Sequence, residues 1–304
     1  MSQAGASLPA TAQPGASQPT AVEHGFAQPV VLIPVGVDED ALDGCLAALE
    51  ASTPAGTRVW LADDAQAGPR AGAIIEGWLA HTRMQAAHTR RARSIGQAAH
   101  LDEALRACGD ADVAILSADA HPTPGWLQQL SACLAHDPSI ATATPWSNAG
   151  EAAAWPRIGE IVPLDEDPSR LARACAQLSP TYPDLPAAVG HALLVRGSAR
   201  MRAGGLDAAS FHSWYAALTD FSLRLSGLGW RNALCETAFV LRNDEGHAQV
   251  GDMDRLSVRW PAWHARLANF LMDDPLRGLR TQLQETLVGL DSGSPQPDLF
   301  GSRT

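Results

Sequence analysis

The sequence predicts an α/β fold in which a mixed, mostly parallel β-sheet is flanked by helices. Short apolar runs at Val30–Val35, at residues 58–62 and at Val113–Leu116 have the length of buried strands. Segments with apolar residues at helical spacing separate these runs, and acidic residues follow two of them. Strands that alternate with helices in this way are typical of parallel sheets with helical crossovers.

Similar patterns continue along the rest of the chain. Apolar residues recur every three or four positions in the segments predicted as helices, which are residues 42–49, 74–79, 101–108, 126–134, 169–178, 214–228, 256–272 and 275–290. Further apolar runs predict strands at residues 140–144, 189–195 and 233–241. Residues 146–168 have neither pattern and predict a long loop, and such loops in compact domains are usually functional.

The composition limits the classes of function open to the chain. Its 304 residues, 46 % of them hydrophobic, are enough for one large α/β domain or two small ones. The net charge of −11 argues against general nucleic-acid binding, which needs clustered Lys and Arg. We expect no transmembrane helix, because no run of about 20 apolar residues is present. The five cysteines form no CxxC pair, which favours buried thiols and a cytoplasmic location.

Asp119 and His121 lie in a polar turn directly after the predicted strand Val113–Leu116. Parallel sheets bind ligands beyond the carboxyl ends of their strands, so this turn is a candidate site. Two positions apart in an extended segment, the carboxylate and the imidazole would point to the same side and reach one divalent cation. The imidazole suits Mn²⁺ better than Mg²⁺, which prefers oxygen ligands. The alternative is a surface histidine in a turn.

Two further polar groups follow predicted strands or lie close to them. Asp63 and Asp64 come directly after an apolar run, and they either serve a ligand site at the sheet edge or cap the next element. Arg90, Arg91 and Arg93 form a basic cluster. This cluster is either a solvated loop or a surface that attracts an anionic donor or a lipid-linked substrate.

Several motifs occur together in the order found in one known family. They are Val31-Leu32-Ile33-Pro34-Val35, Trp60-Leu61-Ala62-Asp63-Asp64, Asp119 to Leu127, Thr144-Pro145-Trp146-Ser147-Asn148, Val189-Gly190, Gly204-Gly205-Leu206-Asp207 and Asp220-Phe221-Ser222-Leu223-Arg224. Together they resemble the family 2 inverting glycosyltransferases with the GT-A (nucleotide-diphospho-sugar transferase) fold. The subgroup with the greatest resemblance is that of the bacterial rhamnosyltransferase-like enzymes. The resemblance extends from about residue 30 to residue 290.

This resemblance implies transfer of a sugar from a nucleotide-diphosphate sugar to a glycan or lipid-linked acceptor, with inversion. It implies that Asp63, Asp64 and Asp119 bind the nucleotide. It also implies that Asp119 and His121 hold a divalent cation, Mn²⁺ or Mg²⁺, that neutralises the leaving diphosphate. A nucleotide-binding oxidoreductase is disfavoured, because no Gly-x-Gly-x-x-Gly follows the first strand.

The positions expected to carry the catalytic base depart from the family pattern. Ala217 and Leu218 replace an acidic pair, and neither side chain can take a proton. The predicted base is therefore Asp220, the nearest carboxylate, or Asp207. Arg242 replaces a histidine and could neutralise diphosphate charge without metal. The alternative to an active enzyme is a catalytically degenerate protein that binds a nucleotide or a partner.

The resemblance also predicts the organisation of the chain. Residues 29–250 would form the GT-A domain and residues 251–291 a C-terminal helical extension, whose tryptophans could give peripheral membrane contact. Residues 1–28 and 292–304 are rich in small and polar residues, and we predict that they are disordered tails.

Overall fold

The computed structural model describes residues 28–150, 152–164, 167–242 and 249–292, and most of both predicted tails lies outside these ranges. In the described residues a sheet of eight strands has the order β3-β2-β1-β4-β7-β6-β8-β5. The strands are β1 Val30–Val35, β2 Arg58–Asp63, β3 Gln85–Arg90, β4 Val113–Leu116, β5 Ala120–Pro122, β6 Ile140–Trp146, β7 Ala192–Val195 and β8 Arg231–Arg242.

The first half of the sheet is parallel and aligns three strand ends. Strand β1 pairs in parallel with β2 and β4, and β2 pairs in parallel with β3. The strands therefore finish at one edge, where Val35, Asp63 and Leu116 end β1, β2 and β4. This edge is the place where the sequence predicts a ligand site.

The second half of the sheet brings a strand beginning to the same edge. Strand β7 runs antiparallel to β4, with Leu116 opposite Ala192. Strands β6 and β8 then pair in parallel, and β5 pairs antiparallel with β8. The residues just before β7 consequently lie beside the residues just after β4.

Helices cover both faces of the sheet. In the described residues they are α1 Glu39–Ser52, α2 Pro69–Leu79, α3 Gln97–Ala107, α4 Trp126–His136, α5 Pro168–Ala176, α6 Gly197–Ala203, α7 Trp214–Gly227, α8 Asp252–Arg259, α9 Trp263–Asp273 and α10 Arg277–Ser292. Helices α1, α2 and α4 pack on one face, while α3, α6 and α7 pack on the other. Helix α10 joins α5 in a third apolar cluster. The predicted α/β fold with a mixed, mostly parallel sheet is confirmed.

The structure differs from the predicted elements at four places, the first of which is the short helix α6, which the sequence did not predict. The helix expected over residues 256–272 is two helices, α8 and α9, because Pro261 between them cannot donate a backbone hydrogen bond. Strand β3 was missed because it is an edge strand with largely exposed side chains and no apolar run. Strand β5 has three residues, too few for a periodic signal. Among the described helices, none combines the length and apolar character needed to span a membrane.

Candidate active site

A cavity of about 850 Å³ lies at the edge of the sheet where β1, β2 and β4 end. Residues directly after these strands, among them Gly36, Asp64 and Asp119, line its floor. Helices α7, α8 and α9 supply the opposite wall, which is largely apolar. The wall residues from these helices include Trp214, Leu218, Met253, Trp263 and Leu267. The cavity therefore has a polar side at the strand ends and an apolar side built by the C-terminal half of the chain.

Asp64 anchors the loop that begins helix α3. Its carboxylate accepts hydrogen bonds from the Ser94 hydroxyl at 2.7 Å, from the backbone N–H of Ile95 at 3.0 Å and from that of Gly96 at 2.9 Å. Burial raises the pKa of the Asp64 carboxyl, but these hydrogen bonds outweigh burial, and the pKa is lowered overall. His100 lines the same end of the cavity, and burial lowers the pKa of its imidazole.

Asp63 is turned away from the cavity. It is fully buried, and one carboxylate oxygen accepts from the backbone N–H groups of Gln66 and Ala67, while the other pairs with Arg90 at 2.8 Å. The two neighbouring acids predicted as nucleotide ligands are thus separated by the structure, since the cavity lining includes Asp64 and not Asp63.

The two predicted metal ligands face different surroundings. Asp119 lines the cavity and accepts a hydrogen bond from the Ser117 hydroxyl. His121 is not among the lining residues, and a Cβ on Gly44 of α1 would lie 3.0 Å from its Nε2. Burial lowers the pKa of the His121 imidazole, and the smaller effect of the Asp119 charge acts in the opposite direction. Asp119 lies in a turn and the extended segment starts at Ala120, and a metal site shared by Asp119 and His121 stays a prediction.

The basic cluster is tied to acidic residues by ion pairs. Besides the Arg90 pair with Asp63, Arg91 lies 3.8 Å from Asp64 and pairs with Glu103. These pairs join strand β3 to the loop that follows β2 and to helix α3. Two of the three arginines are therefore engaged in ion pairs at this edge of the sheet, a role that neither the solvated loop nor the substrate-attracting surface had included.

Arg242 lines the cavity from the end of strand β8. Strand pairing places it opposite Ala120, next to Asp119 along the chain. The side-chain amide of Asn148 accepts from the Arg242 N–H at 2.8 Å and donates to the Arg242 carbonyl at 3.0 Å. The segment of residues 144–148 that was recognised as a motif thus fixes the backbone of a cavity arginine.

The predicted bases, Asp207 and Asp220, meet at one cation outside the cavity lining. Arg259 pairs with Asp207 at 2.7 Å and with Asp220 at 3.1 Å. Asp220 is fully buried and also accepts from Arg224 Nε at 2.8 Å and from Trp260 Nε1 at 2.9 Å. Both carboxylates are engaged in tying Arg259 of α8 to helix α7 and to the segment after α6, so the structure brings them together but not to the candidate site.

Leu218 lies where the resemblance expects a base. It lines the cavity, and a Cβ on Gly190 would lie 3.1 Å from its Cδ1. Ala217 is fully buried in the core beneath it. The apolar side chains at both positions are accommodated by packing, and they add no titratable group to the wall.

Sequence reasoning missed His191, which lines the cavity. It directly precedes strand β7, and its carbonyl accepts from the Ser117 N–H at 2.8 Å. Its side chain is buried, and neither ring nitrogen has a hydrogen-bond partner among the described residues. Burial, and then the charge of Arg242, hold the pKa of this imidazole well below its usual value. The signal for it is topological, since only the antiparallel pairing of β7 with β4 brings it to this edge.

Comparisons with known proteins agree with this architecture. A model of the family described as Glycosyl transferase family 2 matches residues 30–189, which is more than half of the chain. No protein of curated function matches the sequence directly.

Three solved structures resemble the fold at low sequence identity. The mannosyltransferase PcManGT from Pyrobaculum calidifontis, in complex with GDP-Man and Mn²⁺, is 14 % identical with a TM-score of 0.56, over 89 % of this chain and 76 % of that one. GalNAc-T7 with UDP, GalNAc and Mn²⁺ is 12 % identical with a TM-score of 0.60, over 87 % and 55 %. S. aureus TarS 1-349 in complex with UDP-GlcNAc is 11 % identical with a TM-score of 0.52, over 88 % and 81 %.

The sheet order, the cavity at the strand ends and the family match lead to one assignment. The similar structures support the GT-A fold, and the family match extends from strand β1 to the residues before β7. The chain therefore belongs to glycosyl transferase family 2 and is a glycosyltransferase with the GT-A fold.

Proposed function

We propose that this protein transfers a sugar from a nucleoside-diphosphate sugar to a hydroxyl group of a glycan or lipid-linked acceptor, with inversion. The cavity of about 850 Å³ carries this proposal. Its volume suits a ligand as large as a nucleoside-diphosphate sugar, and Asp64, Asp119 and Arg242 line it at one edge of the sheet. Family membership favours a transferase over the non-catalytic alternative. The donors named for the similar structures, GDP-Man and UDP-GlcNAc, are of the same chemical class.

The nucleoside end of the cavity is proposed to lie at Asp64. The loop that Asp64 anchors, with Ser94 and Gly96, lines the cavity beside His100 and provides a pre-formed polar surface for a base and ribose. Asp63, which we expected to contact the nucleotide, would act indirectly. Its ion pair with Arg90 would hold the polar side of the cavity in place.

The diphosphate is proposed to lie between Asp119 and Arg242. The described residues contain no cluster of three or more Asp, Glu, His or Cys side chains that could hold a metal ion by themselves. Mg²⁺ or Mn²⁺ at phosphate sites needs only one or two carboxylates, because substrate phosphates complete the coordination. The cavity carboxylate of Asp119 fits such a site, and a bound cation would neutralise charge on the leaving diphosphate. The guanidinium of Arg242 would add charge-assisted hydrogen bonds.

The acceptor is proposed to bind along the apolar wall. Trp214, Met253, Trp263 and Leu267 present hydrocarbon and ring surface to the cavity. Such a wall favours an acceptor with an apolar part, as a lipid-linked glycan has, because burying apolar surface stabilises binding. The segments at residues 144–148 and 204–207 support a place in the rhamnosyltransferase-like subgroup.

The proposed functional unit includes both predicted parts of the chain. Residues 29–250 would form the GT-A domain and residues 251–291 the helical extension. Met253 of α8 and Trp263 of α9 reach the cavity, and Arg280 of α10 donates to the carbonyl of Ala154 at 2.7 Å. The extension would therefore be needed for a complete acceptor wall.

The test is a panel of nucleoside-diphosphate sugars assayed for glycosidic product and released nucleoside diphosphate, with and without Mn²⁺. Asp119→Asn should lower kcat by ~100-fold or more if Asp119 holds the cation. Asp43→Asn, on the exposed face of α1, is the matched control and should leave turnover unchanged. Full activity of Asp119→Asn would overturn the role of Asp119, and wild-type protein that forms no product with any donor would overturn the function.

A further inference from the structure

Transfer of a sugar to a hydroxyl group releases one proton, which needs an acceptor close to the reacting atoms. Five carboxylate and imidazole side chains line the cavity in the described residues. They are Asp38, Asp64, Asp119, His100 and His191. Asp207 and Asp220 are excluded, because their carboxylates are held by Arg259 outside the lining. The proton acceptor should therefore be sought among these five.

Four of the five groups are poorly placed for this task. Asp38 is exposed at the N-terminus of α1, where it accepts from the backbone N–H groups of residues 40 and 41. Asp64 accepts three donors of its own anchoring loop, and His100 lies at the same nucleoside end. Asp119 is reserved for the diphosphate by the proposal above. His191 is left.

The position of His191 suits the point where the two substrates meet. Through its carbonyl it is bonded to Ser117, two residues before Asp119, on the diphosphate side. Its neighbour Gly190 lies against Leu218 on the apolar wall, because a Cβ built on Gly190 would lie 3.1 Å from Leu218 Cδ1. These backbone contacts therefore place His191 at the boundary between the polar floor and the acceptor wall.

The His191 ring has no hydrogen-bond partner to compete for its lone pair among the described residues. His191 has a relative exposure of 2 %, and both ring nitrogens lack hydrogen-bond partners in the part of the chain that the structure describes. Buried polar atoms are nearly always hydrogen-bonded, so a ring with two open nitrogens indicates a group that a ligand completes. Burial and Arg242 lower its pKa, so the ring is neutral and one nitrogen carries a lone pair, while the same two effects oppose formation of the imidazolium.

We propose that His191 is the general base of the transfer reaction, in place of the carboxylate that Leu218 cannot supply; this rests on the proposed function. The acceptor O–H bond breaks and its proton moves to the unprotonated ring nitrogen of His191. The acceptor oxygen forms a bond to the anomeric carbon, while the bond from that carbon to the phosphate oxygen breaks. The electron pair of that bond leaves with the nucleoside diphosphate, and the imidazolium returns its proton to water.

The experiment compares His191→Gln and His191→Ala with wild-type protein and with His81→Gln, an exposed control at the end of α2. We measure kcat for transfer, donor affinity by calorimetry and the melting temperature. Loss of the base should lower kcat by about 100-fold or more in both variants, with donor affinity retained. Added imidazole should restore part of the turnover of His191→Ala, where the side chain leaves space, and should not restore Asp119→Asn.

Three outcomes would overturn the assignment. A kcat close to that of wild type in either folded variant would exclude His191 as the base. A weaker donor affinity with unchanged kcat would show that the imidazole binds the diphosphate instead. Wild-type protein that forms no product with any donor would overturn the proposed function itself and the base assignment with it, and so differs from the first two outcomes.

Discussion

The side chain of Asn148 hydrogen bonds to both backbone polar groups of Arg242, accepting at 2.8 Å and donating at 3.0 Å. The same amide nitrogen also donates to the Val162 carbonyl at 3.1 Å. Asn148 is 4 % exposed, so these bonds are shielded from water. One side chain therefore joins the end of strand β8 to the long loop after β6. It thereby fixes the position of the Arg242 backbone, from which the side chain reaches the cavity.

Replacement of Asn148 tests this connection. Asn148→Ala removes three hydrogen bonds and leaves buried backbone groups of Arg242 and Val162 unsatisfied, so we expect a loss of about 1–3 kcal/mol in the free energy of unfolding. Affinity for a nucleoside diphosphate should fall as well, because the backbone that carries Arg242 is released. Urea denaturation and calorimetry measure the two effects. Gln128→Ala, on the exposed side of α4, should change neither.

Asp220 should prove to be structural. Its carboxylate is fully buried between Arg224, Arg259 and the Trp260 indole, so Asp220→Asn leaves Arg224 without its counter-charge and Arg259 with Asp207 alone. We expect a loss of about 3–5 kcal/mol in the free energy of unfolding, and denaturant titration measures it. An Asp220→Asn protein of normal stability with abolished turnover would instead restore the predicted role of Asp220 as base. Asp40→Asn, in an exposed ion pair with Arg70, should cost little.

Gly197 permits the contact between helix α6 and the turn before β4. A Cβ built there would lie 1.9 Å from the Asp110 carbonyl oxygen and 2.8 Å from that of Ala111, both backbone atoms. Gly197→Ala should therefore destabilise the fold by about 3 kcal/mol, because the turn must move. Gly77→Ala in α2, where nothing lies within 4 Å, should stabilise by about 0.5–1 kcal/mol. Equal melting temperatures for the two variants would contradict this account.

Asp137 gives the fold a dependence on acidic pH. Hydrogen bonds from Ser139, followed by Arg231, lower the pKa of its carboxyl to about 2. A carboxyl with a depressed pKa stabilises the folded state above the unfolded value of about 3.9, and this contribution is lost as pH falls toward 2. Asp137→Asn should unfold at lower urea than wild type at pH 7, and the two midpoints should converge near pH 2. A difference that stays constant with pH would refute the assignment.

The fold was predictable because its central strands carry strong local signals. Val30–Val35 and Val113–Leu116 are buried apolar runs, and the apolar positions of α7 follow a helical period. Strands β3 and β5 were not predictable in the same way. Their pairing depends on neighbouring strands, and their own residues are polar or too few to form a pattern.

The site was only partly predictable, because the sequence identifies strand ends but not the directions of side chains. Asp64 and Asp119 follow strand ends and line the cavity as expected. Asp63 and His121, one and two positions from them, do not line the cavity, since Asp63 pairs with Arg90 and His121 lies against Gly44 of α1. His191 carries no local signal at all, since its place depends on the antiparallel register of β7 with β4.

The opposite wall of the cavity has a consequence for how related proteins are classified. The family match ends at residue 189, whereas Trp214, Met253 and Trp263 on that wall come later in the chain. A classification of relatives that compares only the matched region groups proteins by the residues at the strand ends. It does not take the apolar wall into account. Relatives that accept different hydroxyl substrates could then share one group, and exchange of Trp214, Met253 and Trp263 between relatives becomes the direct way to change the apolar wall alone.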